Sequence, residues 1–302
     1  MNIIYYLKHT NEIGVAIVQK FLKGLPDKQF LQLMYFAYFH RSLNLKDPQR
    51  FTEKLQWLKL YNQRHEYKAM VDKVEAKEIA AKVMGRDFII PTLGVWDSFD
   101  EIDFELLPPK FVLKSNNGGG GMGVVIVKDK HALDKAKAKA RLEASMRSDI
   151  FSKLREWPFK GLKGKILAEQ YMEDETGELR DYKFYCFNGV VKVLLVASNR
   201  FSDHNFNYYD RDFNLLPIVS TCGKQSNAQM RKPNDLDRMI EIAERLSAGL
   251  PHVRIDLYYT QGRILFGEYT FFDSSGYDNM SSDEWDLKFG SWLTLPEKCV
   301  EK

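Results

Sequence analysis

This 302-residue chain lacks long apolar runs, a cysteine framework and any strong excess of charge. Its longest apolar stretch, residues 30–39, contains Gln32 and is about half of the roughly 20 residues that a membrane-spanning helix needs, so no transmembrane segment is expected. Three cysteines, Cys186, Cys222 and Cys299, stand far apart without metal-site spacing. An odd count, with no secretory apolar core in the opening residues, predicts a reducing, cytoplasmic setting. Lys and Arg number 44 against 41 Asp and Glu, a net charge of +3. That balance excludes bulk electrostatic binding to nucleic acid and leaves room only for a local basic cleft. The six histidines are scattered, His252 reads as structural, and no catalytic base stands out. There is no internal repeat or low-complexity linker, and aromatic residues make up 13% of the chain, which marks it as folded. The length allows one large domain or two to three lobes.

Two common phosphate-binding signatures are missing as well. No Gly-Lys-Ser/Thr string opens a helix, and no dinucleotide-type glycine turn does so either. What is present is the run Phe111-Val112-Leu113-Lys114-Ser115-Asn116-Asn117, then Gly118-Gly119-Gly120-Gly121-Met122-Gly123, then Val124-Val125-Ile126-Val127. It predicts a strand, a glycine hairpin and a second strand. Five glycines in six residues exceed the one or two that an ordinary hairpin uses. Without Cβ atoms, such a loop lets backbone N–H groups approach a polyanion closely, and Lys114 adds a fixed positive charge. A lysine strand feeding a glycine hairpin suits ATP-grasp enzymes and, more loosely, protein kinases. The kinase strings His-Arg-Asp and Asp-Phe-Gly are absent.

Residues 1 to about 85 read as helical. Asp27 is expected to cap a helix carrying Phe30, Leu31, Met34, Tyr35 and Tyr38. A second helix is predicted over 51–61 and a third over 71–84, ending at Gly85. Residues 88–90 before Pro91 read as a short strand and 95–100 as a turn into a short helix. Residues 129–148 read as an exposed helix, and 166–172 as a strand. A hairpin follows, residues 181–187 and 190–196, turning at Asn188-Gly189. A helix is expected from Pro233 through Leu250 with Met239, Ile240, Ile242, Ala243 and Leu246 on one side. A second hairpin, 252–259 with 263–270, turns at Gln261-Gly262.

That second hairpin carries Asp256 on one strand and Glu268 on the other. If the two pair across the ladder, their carboxylates share a face. Two such carboxylates repel unless a cation neutralises them. Mg²⁺ is the natural cation, since it takes oxygen ligands and shares them with nucleotide phosphates. The alternatives are that one carboxylate points to solvent or that Arg254 pairs with one of them.

From about Phe51 to Pro296 the chain resembles the TupA-like ATP-grasp family of bacterial surface-polysaccharide biosynthesis. The resemblance is carried by Phe51-Thr52-Glu53-Lys54-Leu55-Gln56-Trp57-Leu58-Lys59, Val71-Asp72-Lys73, Leu107-Pro108-Pro109-Lys110 leading into the Lys114 strand, the glycine loop, and Asp181-Tyr182-Lys183-Phe184. Arg254-Ile255-Asp256, Phe266-Gly267-Glu268 and the closing Glu284-Trp285-Asp286, Gly290 and Leu295-Pro296 complete it.

The resemblance implies an α+β ATP-grasp fold, in which two lobes with mainly antiparallel sheets clamp ATP. It divides the chain into a helical region 1–85, a small lobe 86–168 with the glycine loop, and a large lobe 169–302 with the metal hairpin. It implies that Lys73, Lys114 and Gly118, Gly119, Gly120 and Gly121 contact the nucleotide phosphates. Glu169, Gln170, Tyr171 and Met172 would read adenine. Asp256, Glu268 and, more weakly, Thr270 would hold Mg²⁺. Thr270 stands where many members carry an asparagine ligand. Arg254 would stabilise the transferring phosphoryl group, with Lys183 reaching the γ-phosphate. Phe272-Asp273-Ser274-Ser275-Gly276 replaces an expected Pro-Gly turn; Ser274 and Ser275 either hold an acceptor or form a plain turn.

The implied activity is ADP-forming carboxylate–amine ligation through an acyl phosphate. Its partners would be a small-molecule or saccharide carboxylate, such as a uronic acid, and an amine or amino acid. The rival readings are an ATP-grasp kinase and a non-catalytic nucleotide or polysaccharide binder.

Overall fold

The computed structural model describes residues 10–119, 121–175, 177, 179–198, 205–219, 225, 230–278 and 282–300. Gly120 and Cys222, singled out above, lie outside the described residues, as do the opening residues 1–9.

Helices α1 (Thr10–Phe21) and α2 (Asp27–Phe39) form a hairpin that buries Val18, Phe30, Leu31, Met34 and Tyr35. Asp27 does not cap α2. It is the first helical residue, behind Pro26, and its carboxylate lies 2.8 Å from Arg155 Nε. Helix α3 (Phe51–Tyr61) has the expected bounds, and its Glu53 side chain accepts from the backbone N–H groups of Gln49 and Arg50, at 3.0 and 3.1 Å.

The helix expected over 71–84 starts four residues later, as α5 (Glu75–Met84), and a short helix that was not expected, α4 (Glu66–Val71), ends where it was to begin. Asp72 makes the break. Its Oδ1 accepts from the backbone N–H groups of Val74 and Glu75, at 2.8 and 3.3 Å, and so starts a new helix. Its Oδ2 accepts from Asn116 Nδ2 at 2.7 Å. Helix α5 stops at Gly85, whose φ of 100° suits only glycine.

The small sheet contains β1 (Thr92–Trp96), β2 (Phe111–Ser115), β3 (Val124–Val127) and β4 (Ile166–Gln170), antiparallel in the order β1-β4-β2-β3. The strand expected at 88–90 is displaced past Pro91. The Ile90 carbonyl is taken by Lys77 Nζ at 2.9 Å, and the preceding residues make a 3₁₀ turn. Residues 92–96, the last two of which read as a turn, form the strand instead. Helix α6 (Lys135–Met146) lies within the predicted span and is not wholly exposed, since it lays Ala138 and Leu142 on Phe111, Leu113, Ile166 and Ala168. Helix α7 (Ile150–Leu154) follows it.

The large sheet contains β5 (Asp181–Phe187), β6 (Val190–Ser198), β7 (Asn205–Tyr209), β8 (His252–Thr260) and β9 (Arg263–Thr270), antiparallel in the order β7-β6-β5-β8-β9. Both predicted hairpins form, with Asn188-Gly189 and Gln261-Gly262 all at positive φ. Helix α8 (Leu236–Leu246) covers one face with the five apolar residues expected, and ends four residues early in a turn at Ser247–Gly249. Helix α9 (Asp283–Trp292) packs on α3. The core under the large sheet also takes in side chains of α3, α4 and α5, and α3 also meets the α1–α2 hairpin, where the Tyr35 and Thr52 hydroxyls lie 2.9 Å apart. His252 is buried between the Phe51 and Phe187 rings, its Nδ1 lies 2.9 Å from the Cys186 carbonyl, and burial lowers its pKa to about 4, which fits a structural histidine.

The glycines between β2 and β3 serve different ends. A Cβ at Gly118 or Gly123 would meet the Oγ atoms of Ser115 and Ser145, which hydrogen-bond to each other at 2.7 Å. Gly121 has φ +75°, while a Cβ at Gly119 would meet nothing within 4 Å. Gly123→Ala is therefore expected to lower stability by about 1–3 kcal/mol through overpacking. Gly119→Ala should stay within about 1 kcal/mol of the parent. Urea unfolding of both variants checks this, and equal losses would contradict it.

Candidate active site

Alternation along β2 sends Phe111, Leu113 and Ser115 into the small lobe's core and leaves Val112 and Lys114 on the opposite face. Glu169 lies opposite Val112 across the β2–β4 ladder and shares that face. Its carboxylate is buried and takes Lys114 Nζ at 2.6 Å and Lys77 Nζ at 2.5 Å. Burial alone would raise the Glu169 pKa. The two lysines outweigh it and hold the group down at about 2. Burial also opposes the charge on Lys114, and Glu169 more than compensates, raising the pKa of Lys114. At Lys77 burial prevails and its pKa is lowered. Lys77 carried no signal in the sequence beyond its place one helical turn after Lys73. Glu169, expected against adenine, thus clamps two lysines here. Gln170 closes β4, with its N–H on the Pro91 carbonyl at 3.0 Å, and Tyr171 and Met172 lie in the connection between the two sheets.

Lys73 stands in the break between α4 and α5. Its N–H donates to the Asn116 carbonyl at 3.2 Å, and its Nζ reaches the Gly118 carbonyl at 2.5 Å and lies 3.7 Å from Glu268 Oε2. One lysine therefore spans from the root of the glycine loop to the large sheet. Buried Asn116 ties the joint together. Its amide bonds Asp72 and the Lys163 carbonyl, and its Oδ1 accepts from the Lys165 N–H at 2.7 Å.

On the large sheet the predicted residues fall into two rows. Lys183 on β5, Asp256 on β8 and Glu268 on β9 are direct partners across three strands. Tyr185, Arg254 and Thr270 form the adjacent row on the same face. A bulge keeps the pairing in place: Gly267 is the extra residue on β9, opposite the step from Asp256 to Leu257. A Cβ there would sit 2.9 Å from the Asp256 carbonyl oxygen.

The rows lock through charge. Arg254 grips Asp256 with two bonds, Nε to Oδ1 at 2.7 Å and Nη2 to Oδ2 at 2.8 Å. Lys183 Nζ shares Asp256 Oδ2. Arg254 Nη1 reaches Asp273, which also accepts from the Tyr185 hydroxyl. Nη2 donates to the Thr270 hydroxyl at 3.1 Å and lies 3.5 Å from Glu268 Oε1. Burial would raise the Asp256 pKa, and Arg254 and Lys183 bring it below the usual carboxylate range. Of the alternatives that the sequence leaves open, Arg254 does pair with Asp256, and Lys183 shares the same carboxylate. Asp273 is a further site residue that sequence reasoning treated only as part of a turn. Ser275 is not open to an acceptor, since it is buried and Lys59 Nζ holds its Oγ at 2.7 Å and its carbonyl at 2.8 Å, while Ser274 is exposed.

Among the described residues no group of three or more His, Cys, Asp or Glu gathers around a metal position. Asp256, Glu268 and the Thr270 hydroxyl offer hard oxygen donors, which suit Mg²⁺ in kind. Glu268 holds its protein partners at long range: the Thr270 hydroxyl at 3.4 Å, Arg254 at 3.5 Å and Lys73 at 3.7 Å.

The sequence pattern of the TupA-like ATP-grasp family matches residues 53–294. This chain belongs to that family. The match begins inside α3 and runs two residues past α9, so it takes in both sheets of the TupA-like protein and leaves the α1–α2 hairpin outside. No curated protein matches the sequence. Similar solved structures include D-alanine–D-alanine ligase from Bacillus anthracis complexed with ATP, at 15% identity and TM-score 0.39, covering 67% of this chain and 53% of that one. The same-named enzyme from Helicobacter pylori is 14% identical with TM-score 0.44, covering 76% and 60%. D-cycloserine synthetase is 18% identical with TM-score 0.42, covering 74% and 69%. The chain thus spans little more than half the length of the D-alanine–D-alanine ligases it matches.

The buried Lys77–Glu169–Lys114 clamp has a pH signature. The folded-state pKa of Glu169 is depressed, so its stabilisation is complete above the unfolded value near 4.5 and is lost as pH falls toward about 2. Glu169→Gln should flatten the acid limb of a stability–pH curve between about pH 5 and pH 2. It should also cost roughly 3 kcal/mol at neutral pH by leaving Lys77 buried and unpaired. An unchanged acid limb in the variant refutes the assignment.

Proposed function

We propose that this protein is an ADP-forming carboxylate–amine ligase that works through an acyl phosphate. The observation that carries the reading is the convergence of Lys73, reaching from the glycine-loop root, on the Lys183–Asp256–Glu268 row, with Arg254 beside it. Phosphoryl transfer needs alignment and charge neutralisation more than covalent help from protein, and that array is built for both.

ATP is the co-substrate in this reading. Lys114 and Lys73 hold its phosphates under the glycine loop, and Gly119, with open space where a Cβ would lie, offers backbone to them. Mg²⁺ would be held by Asp256 and Glu268 with Thr270 beside them, and when bound it neutralises phosphate charge. Lys183 shares an Asp256 oxygen with Arg254, so it can pass to the γ-phosphate while Arg254 keeps Asp256 in place.

The substrate carboxylate oxygen attacks the γ-phosphorus; the new O–P bond forms as the bond to the β-phosphate oxygen breaks and ADP leaves. Arg254 faces the charge that develops on the transferring group. The amine nitrogen then attacks the acyl carbon, phosphate departs with its oxygen, and the amine's proton is released. The glycine loop, closed over the site, keeps water from the acyl phosphate.

For the substrates, a uronic-acid carboxylate in a bacterial surface polysaccharide or its precursor, joined to an amino acid or amine, is the assignment that family membership favours. A cytoplasmic reaction belongs to the same proposal, since ATP is supplied there.

Incubated with ATP, Mg²⁺, a glucuronate-containing acceptor and hydroxylamine in place of the amine, the protein should yield a hydroxamate with equimolar ADP and phosphate, read by the ferric hydroxamate colour and coupled ADP release. AMP with pyrophosphate sinks the mechanism, and ADP with a stable phosphorylated sugar converts the protein to a kinase.

A second expectation separates the two carboxylates. Glu268→Gln, at a half-buried position on the edge strand β9, should retain the parent melting temperature and lose turnover by at least about 100-fold. Asp256→Asn should lose turnover and also melt lower, because Arg254 and Lys183 stay buried with their shared partner uncharged. If both variants keep parental turnover at low Mg²⁺, the hairpin is structural.

A further inference from the structure

The α1–α2 hairpin lies outside the family match and carries an apolar face that no other element of the described residues covers. On α1, Ile13, Ile17 and Phe21 recur at four-residue spacing and are exposed; on α2, Leu33 and Phe36 do the same at three. Phe21 is 70% exposed and Phe36 55%, high values for phenylalanines within or at the end of regular helices. The two stripes share one side. The helices touch at Gly14, where a Cβ would sit 3.4 Å from Ala37 Cβ. Counting about 100° per residue from that contact in each antiparallel helix puts Ile17, Phe21, Leu33 and Phe36 on the outward side. Val18, Phe30, Met34 and Tyr35 face the opposite way, into the core. Helix α7 reaches α1 through Gln19, whose side chain donates to the Lys153 carbonyl, and so leaves the outward side open.

The charge around this face has one sign. Lys20, Lys23 and Lys28 are exposed at the hairpin's tip, with Lys20 Nζ 5.4 Å from the centre of the Phe21 ring. Asp27 is paired with Arg155, and Glu12 is the one other acid on the described part of the hairpin. A second copy of the chain would therefore offer three lysines a single carboxylate. An anionic lipid surface offers phosphates to all three and an apolar interior to Phe21, Ile17 and Phe36, the pattern of an amphipathic element lying in a membrane interface. No helix of the described residues is long and apolar enough to cross a membrane, so the contact is peripheral.

We propose that the outward face of the α1–α2 hairpin docks the protein onto anionic membrane surfaces, with Phe21 at the point of insertion. The reading is independent of the ligase assignment. The test is co-sedimentation of the full chain with vesicles of phosphatidylcholine alone and of phosphatidylcholine with phosphatidylglycerol. Binding to the anionic vesicles should exceed binding to the neutral ones by at least tenfold and should weaken as salt is raised. Phe21→Ser combined with Phe36→Ser should reduce it at least tenfold. Lys20→Glu combined with Lys23→Glu should abolish the difference between the two vesicle types. All four positions are exposed, so the variants are expected to melt as the parent does; a variant that does not is replaced by the single Phe21→Ser for the same comparison. The proposal is overturned by absence of binding to either vesicle. It is equally overturned by undiminished binding of the phenylalanine variant, or by a concentration-dependent dimer in light scattering that Phe21→Ser disperses.

Discussion

The register of β5, β8 and β9 is the constraint on which the site depends. Side chains on a strand alternate faces, so a slip of one residue between β8 and β9 would turn Glu268 away from Asp256 and put Tyr269 in its place. The pairing is held at both ends. The Gln261-Gly262 turn fixes it on one side, and on the other Arg254 reaches across to Thr270 and back along its own strand to Asp256. Gly267 takes up the odd residue between these two fixed points. The buried ion pairs therefore act as a registry device, and the cost of burying them is offset by their bidentate geometry and shared partners.

The small lobe joins this array through one polar joint. Asp72 starts α5, anchors Asn116 and so couples the helix that carries Lys73 and Lys77 to the strand that carries Lys114. Movement of the glycine loop about its root would carry Lys73 with it, because the Gly118 carbonyl and the Lys73 ammonium are bonded. Lys73, Lys77 and Lys114 are thus mounted on one connected piece, and Asp256 and Glu268 on the other.

Much of this was legible in the sequence, and the failures have local causes. Glycine-containing turns and alternating strands marked both hairpins, because those signals are set within a few residues. The Asp256–Glu268 pairing followed from the turn between them. The break at Asp72 was not legible: the run over 71–84 has helical spacing throughout, and Asp72, which accepts from the Val74 and Glu75 N–H groups, is also bonded to Asn116, 44 residues away. The strand at 92–96 was displaced for a similar reason, a lysine from another element capping the Ile90 carbonyl. Lys77, Tyr185 and Asp273 joined the site only through contacts that a linear reading does not contain, whereas Lys73, Lys114, Lys183 and Arg254 announced themselves by standing in short family-specific strings.

The charge pattern of the cleft has a consequence for the order in which its ligands can assemble. Among the described residues, each of the five cations placed in it above has a carboxylate beside it: Lys77 and Lys114 share Glu169, Lys183 and Arg254 share Asp256, Arg254 also holds Asp273, and Lys73 leans toward Glu268. A free polyphosphate entering such a site meets near-electroneutrality instead of a basic pocket. It must arrive with its own counterion or wait until one loosens these pairs. On the proposed reading, nucleotide and divalent cation would then be linked ligands, each strengthening the other by the same factor.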